Sequence, residues 1–212
     1  MLLNGGSSFQ DDFCLWGNMI PHKLMATLCL AKTLNVTVLV ESGRKGGMSA
    51  FTYSQRIPQV VSIEMNMLSN VHNTLQAVSK NVVLLEGDGS TVIPDVVADL
   101  RSKNQRVAVI IDGPKGPAAV EVASRVINEV VFLGIDDAPV GSETRLAIER
   151  TFQKGDLFYS DDARYQDIMI DKDTAWARSI RSSAPKIKRL LESASVKGSR
   201  RDAIAFVRGS DL

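Results

Sequence analysis

An α/β fold built on a doubly wound, mostly parallel sheet is what this chain predicts, on three observations. Short apolar runs alternate with helix-length amphipathic segments between residues 36 and 136. The runs are apolar throughout rather than every second residue, as expected of strands covered by helices on both faces. Polar residues and glycines gather at the C-terminal end of each run, the edge where such sheets bind ligands.

Residues 1–16 carry little pattern and read as an N-terminal arm. Helical spacing begins at HKLMATLCLAKTL, residues 22–34, with Leu24, Thr27, Leu28 and Ala31 on one face. His22 follows Pro21 at the helix start, where capping or exposure is the plain reading and lining a ligand mouth the alternative. Trp16 and Met19 read as core packing, with a lid as the alternative. Strands are predicted over 36–41, 59–64, 81–86, 106–112 and 130–136, and helices over 49–57, 66–79, 90–103 and 117–128. SETRLAIERTF adds a helix with Ser142 as N-cap and an Arg145–Glu149 pair one turn apart. LFYSDD reads as a short strand, 173–196 as helix interrupted near Pro185, and DAIAFVRG as a last strand. The chain is read as one domain over 1–212, with 157–202 an insertion or cap before that last strand.

Composition excludes more than it selects. A net charge of +1 points to no partner class. Cys14 and Cys29 lie in apolar surroundings at no metal-ligand spacing, so they read as reduced thiols. The first residues lack a basic, then apolar, leader pattern, and no apolar run approaches the length of a membrane span. A cytoplasmic protein without membrane contact is the default expectation. Residues 178–201 hold eight Lys and Arg against one acid, Glu192. A solvated face is the plain reading, and an anionic or nucleic-acid partner is the functional one. No aromatic side chains interleave them, so base stacking is not supported.

Residues 35–49, NVTVLVESGRKGGMS, are the most informative stretch. An apolar run ends in Glu41, a turn with Gly43 and Gly47 follows, and Ser49 opens a helix-compatible segment. A strand, a glycine turn and a helix start place backbone N–H groups around a polar ligand. The acid would repel a pyrophosphate and accept hydrogen bonds from hydroxyl or amino groups instead. The spacing E-x-G-x-x-x-G-x-S is not the dinucleotide pattern G-x-G-x-x-G. The other runs end in Glu64 (VVSIEMN), Asp88 and Gly89 (LLEGDGS, with Ser90 as the N-cap), Asp112 and Lys115 (IIDGPKG), and Asp136 and Asp137 (GIDDAP). Glu64 follows the glycine turn by about twenty residues, a distance suited to ribose hydroxyls. Each site alone reads equally well as a turn or cap. Five on one sheet edge make a ligand crevice.

These motifs, in this order over residues 22–140, resemble those of class I S-adenosylmethionine (SAM)-dependent methyltransferases. The nearest likeness is to the small O-methyltransferases of the catechol and caffeoyl-CoA type. The resemblance implies a Rossmann-like fold with an antiparallel last strand. It implies SAM held by Glu41, Gly43, Gly47, Ser49, Glu64, Asp88, Gly89 and Asp112. In the metal-dependent members, the positions matching Asp112, Asp136 and Asp137 hold a divalent cation, so Mg²⁺ or Ca²⁺ is implied there. The position matching Lys115 lies near the reacting hydroxyl, so Lys115 and Asp112 are the implied catalytic residues. The expected reaction is methyl transfer to an oxygen of a small molecule. Methylation of a nucleic acid or nucleotide through the basic segment, and a nucleotide-binding or NAD-type protein, are the alternatives. A homodimer is compatible with all three.

Overall fold

A computed structural model describes Leu15, residues 21–161 and residues 203–210. The arm apart from Leu15, Cys14, Trp16, Met19, the side chain of His22, the helix expected over 173–196 and the basic run 178–201 lie outside the described residues.

The described elements follow the expected alternation. They are α1 (Pro21–Thr33), β1 (Val38–Ser42), α2 (Met48–Ser54), β2 (Gln59–Glu64), α3 (Ser69–Val78), β3 (Val82–Glu86), α4 (Gly89–Ser102), β4 (Val107–Ile111), α5 (Pro117–Val126), β5 (Phe132–Ile135), α6 (Glu143–Thr151), β6 (Leu157–Tyr159) and β7 (Ala205–Arg208). The sheet order is β3-β2-β1-β4-β5-β7-β6. β1 to β5 are parallel, and β7 lies antiparallel between β5 and β6. The expected antiparallel last strand is therefore present.

Side chains alternate across the sheet, and each face has its own core. Val38, Val40, Val109, Ile111 and Leu133 pack under α4, α5 and α6. Leu39, Ala108, Ile110 and Phe132 face α1 and α2, where Phe206 lies 6.0 Å from both Phe132 and Phe158. Both faces of the central strands are thus buried, which is why they carry no polar alternation.

Helix ends conform to local chemistry with one correction. Ser142 caps α6 by accepting from Arg145 N–H at 3.1 Å, and Arg145 reaches Glu149 at 3.4 Å. The cap of α4 is Asp88, not Ser90: its carboxylate accepts from Ser90 N–H at 2.8 Å. A carboxylate at this position also meets the positive end of the helix dipole. The α1 face differs from expectation by one residue. Lys23, Ala26, Thr27, Leu30, Ala31 and Leu34 are buried, while Leu24 and Leu28 are only partly so. Cys29 is a free, half-buried thiol. No described helix is long and apolar enough to cross a membrane.

Candidate active site

β1 has β2 on one side and β4 on the other, so the chain winds outward in both directions from this point. The connections leave a crevice beyond the C-terminal ends of β1 and β4. Gly43 makes it possible for the two loops to touch there. Its φ is +87°, and a Cβ would stand 2.8 Å from the Asp112 carbonyl carbon and the Gly113 nitrogen. Asp112 N–H donates to Ser42 O at 3.1 Å and Gly43 N–H to Ile63 O at 3.0 Å, which fixes both loops to the sheet. A cavity of about 410 Å³ opens above, walled by Ser42, Gly43, Ile63, Glu64, Met65, Gly87, Asp88, Gly89, Ser90, Gly113, Pro114 and Ala118. That volume lies within the range of small-molecule sites.

Glu64 forms one end of the cavity. Its Oε2 accepts from Lys45 N–H at 2.6 Å and its Oε1 from Asn66 N–H at 3.2 Å. A carboxylate has about four acceptor positions, so two backbone donors orient it and leave room for a pair of ligand hydroxyls. Asp88 and Gly89 lie in the same wall. Glu64→Ala is expected to weaken S-adenosylhomocysteine (SAH) binding by about 1.5–3 kcal/mol, measured by calorimetry. Unchanged affinity in a folded variant would remove Glu64 from the site.

Three residues expected at the ligand, Glu41, Gly47 and Ser49, do not line this cavity. Glu41 is buried and accepts from Ser62 Oγ at 2.7 Å. Burial pushes its carboxyl up, while hydrogen bonds to Ser62 and Ser49 and the charge of Arg44 oppose that rise. Glu41 and Ser49 therefore brace the turn against β2 and α2. Gly47 has φ +79°, and a Cβ there would meet Leu75 and Val71 of α3 at 2.9 Å. The turn thus packs closely on α3 at Gly47. Arg44, unremarked in the sequence, is also buried and donates from Nη1 to Ser62 O at 2.8 Å.

Next to Gly113 and Pro114 stands a cluster of five charged side chains, none of which, the expected Asp112 included, lines this cavity. Lys23 Nζ of α1 lies 2.5 Å from Asp136 Oδ1, with both groups buried. Removing one partner of such a pair costs about 3–5 kcal/mol. The charge of Asp136 acts on Asp112, and Lys115 Nζ reaches Asp112 Oδ1 at 2.6 Å and Asp137 Oδ2 at 2.7 Å. Thr27 Oγ1 donates to Lys23 O at 2.9 Å and hydrogen-bonds Tyr53, which is fully buried below. Lys23 and Tyr53 are the participants that sequence reading missed. The Asp112 carboxyl is pushed up to about 7, first by burial and then by the charge of Asp136, against the hydrogen bond and charge of Lys115. Burial acts to lower the Lys115 ammonium, but its hydrogen bonds to Asp112 and Asp137 win and hold it above its ordinary value.

This arrangement corrects two expectations. Lys115 is a poor proton acceptor because it is held charged. Asp112, Asp136 and Asp137 do converge, but Lys23 and Lys115 already pair with them, and a divalent ion would be forced against those cations. Among the described residues, no group of three His, Cys, Asp or Glu side chains is arranged to hold a metal ion. The residues do not fit the implied Mg²⁺ or Ca²⁺. Neither EDTA nor added Mg²⁺ is expected to shift the melting temperature, and a rise with Mg²⁺ would restore the metal reading.

The raised Asp112 carboxyl has a stability signature. Below 3.8 the group is protonated in both the native and unfolded chain; between 3.8 and about 7 the native state holds the proton more tightly. Asp112's contribution to stability therefore falls as pH rises through that window and levels off above it. Asn imitates the neutral acid. The wild-type melting temperature is expected to drop relative to that of Asp112→Asn across the same window, and a flat difference would refute the shift.

No protein-family model matches the chain, and no curated protein matches it in sequence. Solved structures do match in shape. One is the O-methyltransferase TomG from Streptomyces achromogenes, involved in tomaymycin synthesis and solved with SAM: 15% identity over 92% of this chain and 82% of that one, TM-score 0.50. An rRNA methylase from Streptococcus thermophilus matches at 10% identity over 89% and 93%, TM-score 0.50. Precorrin-8w decarboxylase from Methanobacterium thermoautotrophicum matches at 15% identity over 94% and 98%, TM-score 0.52. Strand order, the antiparallel β7 and these likenesses agree: the chain has the Rossmann-like fold of SAM-dependent methyltransferases.

Proposed function

We propose that this protein transfers a methyl group from SAM to an oxygen of a small molecule, with Asp112 receiving the proton. One observation carries the reading. A ligand-sized cavity at the β1/β4 crevice has an oriented carboxylate, Glu64, at one end, and Gly113 and Pro114, the neighbours of Asp112, in its wall. Glu64 suits the ribose diol, and the Asp88 and Gly89 wall suits the base. SAM supplies a methyl group already activated on a sulfonium, so no covalent nucleophile is needed from the protein. The chain's work is alignment of donor and acceptor in a site with little water. The acceptor O–H bond breaks as the new O–CH₃ bond forms, and the released proton passes to Asp112. Lys115, held as a cation, steadies Asp112 and Asp137 on either side of it.

Calorimetric titration with SAM, SAH and NAD tests this directly. SAM and SAH are expected to bind and NAD not to; tight NAD binding without SAH binding would overturn the proposal. The likeness to an rRNA methylase and the basic run 178–201 favour a nucleic-acid acceptor as a second reading. RNA binding that falls steeply with salt would favour it.

A further inference from the structure

We infer that the β3 edge of the sheet is a homodimer interface, where two copies of this chain join β3 to β3, antiparallel, about a two-fold axis at Val83. The inference goes beyond the SAM reading and does not depend on it.

The ladder fixes which backbone groups are on offer. β3 ends the sheet, with β2 as its one strand neighbour among the described residues. Val60 N–H donates to Asn81 O at 3.0 Å and Gly87 N–H to Glu64 O at 3.1 Å, in the register that sets Val82 beside Val60 and Glu86 beside Glu64. The backbone of residues 81, 83, 85 and 87 therefore turns to β2, and that of Val82, Leu84 and Glu86 turns outward. Such a row is a template for another strand, and edges are commonly guarded by lysine, proline or a bulge. β3 reads VVLLE in unbroken register and carries none of these. The opposite edge differs: Leu157, Phe158 and Tyr159 of β6 are all buried, whereas Val83 is 40% exposed. Beside β3, α3 packs Val71 and Leu75 over Val82 and Leu84 and carries no Asp, Glu, Lys or Arg. Of the seven exposed large apolar side chains among the described residues, Met65, Met67, Leu68 and Val83 belong to β3 or to the loop that leaves β2. A surface poor in charge and supplied with methionine suits a protein interface.

Self-complementarity sets the occupant. An antiparallel match centred on Val83 sets Val82 opposite Leu84 of the second copy, both with outward backbone groups. It also sets Lys80, exposed just before the strand, opposite Glu86, exposed at its end, twice by symmetry. A parallel match would set Lys80 beside Lys80 and Glu86 beside Glu86. The two-fold axis closes the assembly at two copies. Because the strands reverse across that axis, the two cavities open on opposite edges of the joined sheet. Each has Gly87, Asp88 and Gly89, which follow β3 directly, in its wall.

Sedimentation velocity of the full chain is expected to show a dimer that dissociates on dilution. Val83→Lys puts two ammonium groups face to face on the axis and should leave a folded monomer. Lys80→Glu sets acids against Glu86 and should raise the dissociation constant about tenfold, and Glu86→Lys in the same chain should restore it. Val83→Cys reads the register itself. Opposed residues of this non-hydrogen-bonded kind have Cα atoms about 4.5 Å apart, inside the roughly 4.4–6.8 Å span of a disulfide. Mild oxidation should therefore join Val83→Cys into a covalent dimer. The wild type, which has Cys14 and Cys29, and Glu121→Cys, exposed on α5, should not cross-link. A wild type that is monomeric at every concentration, or that assembles beyond two copies, would overturn the proposal. So would a folded Val83→Lys that stays dimeric, a double variant no tighter than Lys80→Glu, or Val83→Cys that fails to cross-link. If Val83→Lys does not fold, the cross-linking of Val83→Cys decides the matter.

Discussion

Gly43→Ala is expected to abolish SAH binding and to destabilise the fold by about 3 kcal/mol or more. A non-glycine residue forced to positive φ costs about 1–3 kcal/mol. The new Cβ also stands 2.8 Å from two backbone atoms of the β4 loop, and backbone cannot rotate aside as a side chain can. Relief requires the β1 and β4 loops to part, which dismantles the cavity floor. Gly155→Ala is the control. A Cβ there meets nothing within 4 Å, and the change should stay within about 0.5 kcal/mol. Chemical denaturation gives the stability and calorimetry the affinity. Wild-type SAH affinity in Gly43→Ala would mean that the loop contact does not shape the site.

Asp112→Asn should lower methyl transfer by about 10²–10⁴-fold, the usual contribution of a general base, while SAH affinity changes little. Lys115→Ala should cost less than about tenfold, since its ammonium holds Asp112 without taking the proton. Transfer of labelled methyl from SAM to the acceptor separates the two. A Lys115→Ala loss as large as that of Asp112→Asn would return the catalytic role to the lysine.

The strands were legible because double burial removes polar residues from both faces, a pattern that VAVIID and VVFLGID show plainly. The crevice was legible because a parallel sheet sends all its C-terminal ends to one edge. Lys23 was not. It belongs to the buried face of α1, and a periodicity argument puts a lysine outside and rotates the apolar face toward Leu24 and Leu28. Its partner Asp136 lies 113 residues away, a separation that no local pattern spans. Glu41 and Glu64 look alike in sequence, each an acid ending a strand. What separates them is that Ser62 and Ser49 turn Glu41 inward while the backbone of Lys45 and Asn66 turns Glu64 toward the cavity. Asp112, Asp136 and Asp137 lie together around Lys23 and Lys115, ion pairs that no local pattern in the sequence displays.

The place of β7 governs the order in which this molecule can be completed on the ribosome. It is made after β6, yet it sits between β5 and β6 and, among the described residues, is the one strand neighbour of β6. Until residues 205–208 have emerged, β5 presents a bare edge and Phe132 lacks the Phe206 ring. The nascent chain meanwhile carries β6 with nothing to pair against. A half-made sheet of this kind is prone to pair with a neighbouring nascent chain. The strands β1 to β4, which frame the cavity, are already made by then, so the cavity can take shape before β7 joins the sheet. Chaperone dependence in this protein should therefore track the interval between synthesis of β5 and of β7, rather than the assembly of the cavity.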